Sequence, residues 1–228
     1  MYYRMLAVKI MIAIVSAVVL GNGSVVMFNG IPKERFGDVE IPEDREGRQR
    51  LPSSPWKYIF VAYFAAGGIF LSLGGDARYE LAALVVLFIV LEMAISDAKY
   101  RVIPDELNAL LALSAIGFIP LREIWWEPFA GAATGVLIGA AVFLCGKLIY
   151  KRTDAIGGGD IKFLMAMGLV AGRMGILVIF VMTTIISAIH LMWIVASKRG
   201  KLGVKRPMMP YAFSAVTIYM LFMWDFPW

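Results

Sequence analysis

Long apolar runs separated by short charged stretches dominate this sequence. A membrane-spanning helix needs roughly 17 to 25 mostly apolar residues, because each residue advances about 1.5 Å through a hydrocarbon core of about 30 Å. Judged by this length, the pattern predicts an all-α fold, a polytopic membrane helical bundle with about eight transmembrane helices. The predicted spans are residues 5–28, 58–75, 80–96, 107–121, 129–150, 163–172, 174–197 and 208–224.

The composition agrees with a membrane protein. Hydrophobic residues make up 60% of the chain and charged residues 17%, with a mean hydropathy of +0.75. A typical soluble domain has about 45–50% apolar and about 25% charged residues. We divide the chain into residues 1–57, a first transmembrane helix with a short cytoplasmic loop, and residues 58–228, the helical core.

The lysines and arginines predict the orientation of these helices, because cytoplasmic loops gather positive charge. If loop 29–57 is cytoplasmic, strict alternation of eight spans places most of the 22 basic residues inside. Segment 163–172 is short, and the alternative is that it enters and leaves one face. That arrangement would move the basic segment 198–206 outside, so a crossing is favoured. The prediction is a multi-pass protein of the cytoplasmic membrane with both termini outside.

Two aspartates lie at the ends of predicted spans, Asp97 at the end of one and Asp160 at the start of another. The predicted topology brings both to the cytoplasmic face. Two carboxylates about one water apart cannot both ionise cheaply, so one keeps a proton while the other acts as a base. Such a pair can activate water against a peptide carbonyl and then protonate the leaving amine. The sequence therefore predicts a catalytic carboxylate dyad facing the cytoplasm.

Three glycines, Gly157, Gly158 and Gly159, come directly before Asp160. Because they lack a Cβ, we expect them to allow positive φ before the helix starts and to let an extended substrate backbone approach. An aspartate in this position also fits a helix N-cap. Lys162 lies two residues further on, about 200° around a helix from the aspartate. We expect it to face lipid headgroups rather than to pair with that carboxylate.

Three other polar residues have two interpretations each. Asp105 fits a cap for the fourth span, and substrate contact is the alternative. Glu92 is an acid inside the third span, where ionisable groups suggest function. It lies about 140° around the helix from Asp97, so an interhelical hydrogen bond competes with support of the site. His190, the single histidine, is interpreted as a buried hydrogen-bonding group rather than a catalytic one.

Three sequence blocks resemble those of the type IV prepilin peptidases, a family of intramembrane aspartic proteases. Residues 157–160, Gly-Gly-Gly-Asp, resemble the GxGD element of such proteases, and residues 161–168 resemble its continuation in prepilin peptidases. Residues 96–105 are similar to the block around the first catalytic aspartate. Residues 207–213, Pro-Met-Met-Pro-Tyr-Ala-Phe, are similar to the turn into the last helix. The resemblance covers roughly residues 80 to 224.

The resemblance implies an endopeptidase that removes the basic leader of prepilins or pseudopilins at the cytoplasmic face, just before their hydrophobic N-terminal helix. Asp97 and Asp160 would be its catalytic pair. Many members also methylate the new N-terminus with S-adenosylmethionine, and fuller members carry two CxxC pairs. This chain has one cysteine, Cys145, so we predict no zinc site. S-adenosylmethionine is expected only if methyl transfer is present, and cleavage itself should need no cofactor.

The expected partners are prepilins or pseudopilins and membrane lipid, without nucleic acid, because topology and anionic lipid account for the basic residues. The oligomeric state is left open. Two other classes of protein stay open as well. A transporter can hold acids near glycine-broken helices, although these are expected nearer the membrane midplane. A non-catalytic assembly factor of a pilus or secretion system could keep the same fold.

Overall fold

A computed structural model of the protein describes residues 2–32, 50–74, 76–150, 157–197 and 206–224. This described part is helical and contains no strand, which confirms the predicted all-α fold. Residues 33–49 of the predicted loop 29–57 and residues 198–205 of the basic segment 198–206 lie outside the described residues. The helices are α1 (Tyr2–Gly30), α2 (Ser53–Gly74), α3 (Ala77–Tyr100), α4 (Asp105–Ser114), α5 (Glu127–Tyr150), α6 (Gly158–Ala196) and α7 (Met209–Ile218).

Five of the described helices, α1, α2, α3, α5 and α6, are long and apolar enough to cross a membrane. A polytopic helical membrane bundle is therefore the architecture of this chain. Two shorter helices are extended by a different helical geometry, α4 by a 3-10 segment over Ala115–Leu121 and α7 by a π-helical segment over Tyr219–Met223. The total of eight spans stays a prediction.

Helix α3 is the central helix of the bundle. It packs against α1, α2, α4 and α7, and its residues Val86, Val90 and Met93 are completely buried. Helices α1 and α2 pair closely with each other, as do α5 and α6. Because packed apolar side chains surround most of α3, the position of the helix that carries Asp97 is fixed.

Helix α6 is broken at Gly172, whose backbone angles are φ 76° and ψ −178°. The predicted segments 163–172 and 174–197 thus belong to the two halves of this helix, residues 158–171 and 173–196. Positive φ of this kind is readily adopted by glycine and strained in other residues. The break explains why the apolar pattern divided at this point.

The two halves of α6 run in opposite directions. Helix α7 starts beside Asp97, because the backbone N–H of Met209 bonds to its carboxylate. Beyond the break, Gly175 lies against Tyr219 near the end of α7, whereas His190 bonds to Tyr211 near its start. The second half of α6 is therefore antiparallel to α7.

The first half of α6 runs parallel to α7. Its start carries Asp160, which interacts electrostatically with Asp97 beside the start of α7. Its last residue, Ala171, accepts a 3.3 Å hydrogen bond from Tyr219 near the end of α7. We call the two ends of the bundle the dyad end, at Asp97 and Asp160, and the Gly172 end. Residues 158–171, the first half of α6, thus extend from the dyad end of the bundle to the Gly172 end.

Glycines fix the contact between α5 and the first half of α6. Gly131 and Gly135 lie one turn apart on α5 and face α6. A Cβ on Gly135 would overlap the carbonyl oxygen of Leu164, and a Cβ on Gly168 would overlap the backbone of Gly131. Small residues at such positions let two membrane helices approach backbone to backbone. The crossing leaves little freedom for the helix that carries Asp160.

Candidate active site

Asp97 lies in the last turn of α3 and is 7% exposed. A carboxylate near a helix C-terminus is electrostatically unfavourable, because the last carbonyls carry negative partial charge. The start of α7 compensates for this, since the N–H of Met209 donates to Oδ2 of Asp97 over 2.8 Å. The positive charge of Arg101 acts on the same carboxylate. Asp97 is thus held between the end of one helix and the beginning of another.

Hydrogen bonds cap the C-terminus of α3. Arg101 adopts the left-handed conformation, with φ 58° and ψ 31°, and its N–H donates to the carbonyl oxygen of Asp97. The hydroxyl of Ser96 donates to the carbonyl oxygen of Val102 over 2.5 Å. Ile103 is then buried, and the chain turns directly into α4. These bonds fix the last turn of α3, and with it the backbone of Asp97.

Asp160 is the third residue of α6 and is partly buried. Its Oδ2 accepts a 3.2 Å hydrogen bond from the N–H of Gly157, the N-cap residue. The predicted N-cap role therefore belongs to the glycine, and Asp160 closes the first turn from inside the helix. A carboxylate in the first turn of a helix is favoured by the helix dipole.

The glycines before Asp160 do not have the predicted backbone conformation. Gly157 has φ −75° and ψ 151°, and Gly158 and Gly159 are already helical. Among the described glycines, only Gly172 has a positive φ. The prediction of positive φ was wrong because the N-cap of this helix has an extended backbone conformation, which any amino acid can adopt.

The same glycines do leave space beside the dyad. Gly157 and Gly158 are exposed, and a Cβ added to Gly158 would meet no atom within 4 Å. Gly159 instead faces Ile103, at 3.3 Å from its added Cβ. One side of the helix start is therefore open, while the other side packs against the link between α3 and α4.

Asp97 and Asp160, far apart in sequence, are brought together at one end of the bundle. Each is held by a backbone N–H from a helix start, and the two carboxylates interact electrostatically. Asp97 is buried and Asp160 is partly buried, and α7 packs against both helices that carry them. In such a site one carboxylate can keep the proton that its neighbour lacks.

Lys162 and Asp105 form an ion pair that the sequence did not predict. The Nζ of Lys162 lies 2.7 Å from both carboxylate oxygens of Asp105. As predicted, Lys162 does not pair with Asp160; its partner is the carboxylate of Asp105. Asp105 is not a cap, because Pro104 is the N-cap of α4 and makes no side-chain capping bond. Both side chains are half or more exposed, so the pair ties α4 to α6 at the rim of the site.

Glu92 is completely buried inside α3. Its carboxyl group faces the hydroxyl of Ser24 on α1, yet neither carboxyl oxygen has a hydrogen bond of ordinary length. The Ser24 hydroxyl donates to the carbonyl oxygen of Leu20 over 3.0 Å. Glu92 therefore lies between α3 and α1, and no hydrogen bond or ion pair of the described residues joins it to the dyad.

His190 makes the kind of contact that the sequence predicted. Its Nδ1 lies 2.6 Å from the hydroxyl of Tyr211, and its ring stacks on Trp193 at 6.1 Å between centroids. Cys145 is an exposed free thiol on α5. Within the described ranges, no group of three or more His, Cys, Asp or Glu side chains could hold a metal ion.

Sequence reasoning missed three residues that shape the site. The main-chain N–H of Met209 could be found only through Pro207 and Pro210, which signal a helix start. Asn29 binds the backbone of Leu51: its side chain donates to the carbonyl over 3.0 Å and accepts from the N–H over 2.8 Å. Arg101, the helix cap, had no signal of its own.

This fold and site define a class: a polytopic helical membrane protein with two carboxylates at the same end of the bundle, within electrostatic range of each other. Residues 83–192, which include both aspartates, match the sequence profile of the type IV leader peptidase family. The match agrees with the family resemblance predicted from the three sequence blocks. No solved structure matches the chain.

Three curated relatives are each named a prepilin leader peptidase/N-methyltransferase. The chain is 25% identical over 146 residues to the protein of Xanthomonas campestris, 26% over 156 residues to that of Bacillus subtilis and 28% over 109 residues to that of Vibrio cholerae. These alignments cover 62%, 68% and 45% of this chain and 49%, 58% and 41% of the relatives, respectively. The chain thus spans about half the length of the curated relatives it matches.

Proposed function

We propose that this chain is a membrane-embedded aspartic endopeptidase that cleaves the basic leader peptide of type IV prepilins or pseudopilins. One observation carries the proposal: Asp97 and Asp160 lie at the same end of a helical membrane bundle, within electrostatic range of each other, inside the segment that matches the leader peptidase family. The names of the relatives, which are prepilin leader peptidases, support the choice of substrate.

The dyad suits hydrolysis of a peptide bond. The ionised carboxylate takes a proton from water as the water oxygen attacks the scissile carbonyl carbon, and the protonated carboxyl group gives its proton to the carbonyl oxygen. In the second step, the C–N bond of the tetrahedral intermediate breaks, the amine receives a proton from one carboxyl group, and a hydroxyl of the intermediate returns its proton to the other carboxylate. The products are a free carboxylate and a free amine. The protonation states belong to the pair rather than to either residue.

The open side at Gly157 and Gly158 is the approach that we assign to the substrate. A substrate backbone that approaches this side meets no side chain of Gly157 or Gly158, because both are exposed glycines. An extended peptide can pair its main chain with loop amides at such a position. We place this end of the bundle at the cytoplasmic face of the cell membrane, which the distribution of basic residues favours.

This reaction needs no metal ion and no cofactor, because the two carboxylates supply both proton transfers. N-methylation of the new N-terminus is outside the proposal. The chain has one cysteine, so it cannot form the two CxxC pairs of fuller members. If methyl transfer is present, S-adenosylmethionine is its methyl donor.

The test is a cleavage assay with the purified protein in detergent and a synthetic prepilin. Mass spectrometry should find one cut between the basic leader and the apolar segment, at the same rate with and without EDTA. A substrate that stays intact at every pH, while the protein is natively folded, would contradict the proposal. Binding of the intact prepilin under those conditions would then indicate an assembly factor, and inhibition by EDTA would indicate a metal-dependent reaction.

A further inference from the structure

Helix α7 contacts both carboxylate-bearing helices, each at a different end. Its first residue, Met209, holds the side chain of Asp97 at the dyad end. Near its last turn, Tyr219 donates a hydrogen bond to the carbonyl oxygen of Ala171 over 3.3 Å. Ala171 is the last residue before the break in α6, whose first half begins at the Asp160 end. Helix α7 thus acts as a common frame for the two aspartates.

The reversal at Gly172 is held by side chains that cap both halves of α6. A helix that ends leaves carbonyls unpaired, and a helix that starts leaves amides unpaired. The guanidinium of Arg122 donates to the carbonyl oxygen of Val170. On the other side of the break, Oε1 of Glu127 accepts a 2.9 Å hydrogen bond from the N–H of Arg173. At least one carbonyl before the break and one amide after it are therefore paired by side chains.

This capping cluster is closely packed. A Cβ added to Gly172 would meet the side chains of Arg122 and Glu127. The guanidinium of Arg122 lies over the ring of Trp224, 5.3 Å from its centroid. Burial lowers the pKa of Arg122 from its ordinary value, and the nearby Tyr219 and Glu127 oppose that shift. The break in α6 is therefore surrounded by packed side chains from both ends of the link between α4 and α5.

We infer that Tyr219 and Arg122 are positioning residues, which set the register of Asp160 against Asp97 from the opposite end of α6. The inference rests on the proposed function. The 158–171 half is a single helix, so an axial or rotational shift at Ala171 is carried to its start, where Asp160 lies. Misplacement of a catalytic group by about 1 Å can cost on the order of 100-fold in rate. Neither positioning residue touches the reacting atoms.

The matched pair of variants is Tyr219→Phe and Tyr63→Phe. Each removes one hydroxyl that bonds within the bundle, since the Tyr63 hydroxyl lies 2.8 Å from that of Thr217 on α7. Only the first of these hydroxyls bonds to α6. We expect Tyr219→Phe to lower kcat about tenfold, with KM within about twofold, and to move the pH profile, because the dyad geometry changes. Tyr63→Phe should leave kcat and the profile as in the wild type.

A distance measurement tests the same inference without activity. Spin labels at Ala98→Cys and Gly158→Cys, in a Cys145→Ser background, report the gap between α3 and the start of α6, because both positions are exposed. Tyr219→Phe and Arg122→Gln should shift or broaden the distance distribution, and Tyr63→Phe should not. Unchanged distances with unchanged kcat in Tyr219→Phe and Arg122→Gln would overturn the inference. A shift in a protein that cleaves nothing would support the positioning and refute the peptidase.

Discussion

The N–H of Met209 donates a 2.8 Å hydrogen bond to Oδ2 of Asp97, although 112 positions separate the two residues in sequence. The bond joins the end of α3 to the start of α7. It satisfies an amide that the helix itself cannot pair, and it places partial positive charge beside an acid at an unfavourable helix end. The orientation of Asp97 therefore depends on α7 as well as on its own helix.

This bond predicts different costs for two substitutions of Asp97. Asp97→Asn keeps an oxygen that can accept from Met209, whereas Asp97→Ala leaves a buried N–H unpaired, which costs about 1–3 kcal/mol. The free energy of unfolding in mixed micelles should therefore be lower for Asp97→Ala than for Asp97→Asn. Equal values would mean that the bond does not hold α7 in place.

The glycine contact between α5 and α6 predicts a large effect of a single methyl group. Gly135→Ala should destabilise the bundle by about 1–3 kcal/mol through overpacking, because the new Cβ overlaps the carbonyl oxygen of Leu164. Gly67→Ala is the control, since a Cβ there meets no atom within 4 Å. It should be neutral or stabilise α2 by up to about 1 kcal/mol. Thermal unfolding in detergent measures both, and a stable Gly135→Ala variant would contradict the close crossing.

Much of the fold could be predicted from the sequence, because a local apolar run is enough to predict a membrane helix. The break at Gly172 was visible as a division between two runs, but its capping by Arg122 and Glu127 was not. Arg122 belongs to the link between α4 and α5, and Glu127 is the first residue of α5, so their contacts are made only when α6 packs there. Local patterns carry no information on such long-range pairs.

The candidate site, too, was predicted where the signal was local and missed where it depended on long-range contacts. Asp97 and Asp160 stood out because a charge at the edge of an apolar run is costly. The ion pair of Lys162 with Asp105 joins two different helices, so no spacing along the chain could reveal it. The glycines before Asp160 were expected to need positive φ, yet an extended N-cap serves there.

The proximity of the two carboxylates predicts a bell-shaped pH dependence of cleavage. On the acid side, the rate should fall as the ionised carboxylate takes up a proton and loses its role as base. On the alkaline side, it should fall as the shared proton leaves the pair. Initial rates of prepilin cleavage across the pH range in which the protein stays folded give the profile. A rate that is flat over this range would exclude a shared proton as the source of catalysis.

The orientation of the bundle predicts which positions are reached from each side of the membrane. Glu106 lies at the dyad end and Glu123 near the Gly172 end, and both are exposed. In a Cys145→Ser background, Glu106→Cys should react only with thiol reagents that reach the cytoplasm, and Glu123→Cys should react from outside. The reverse labelling would place the dyad on the outer face.

Cleavage of a synthetic prepilin by Asp97→Asn and Asp160→Asn variants in detergent tests the central claim most directly. An amide cannot exchange the proton that the reaction requires, so each variant should lose at least about 100-fold in rate while it still inserts and folds. Asp105→Asn is the matched control, since that carboxylate pairs with Lys162 at the rim, and it should lose far less. Near wild-type cleavage by either dyad variant would show that Asp97 and Asp160 are not the catalytic pair.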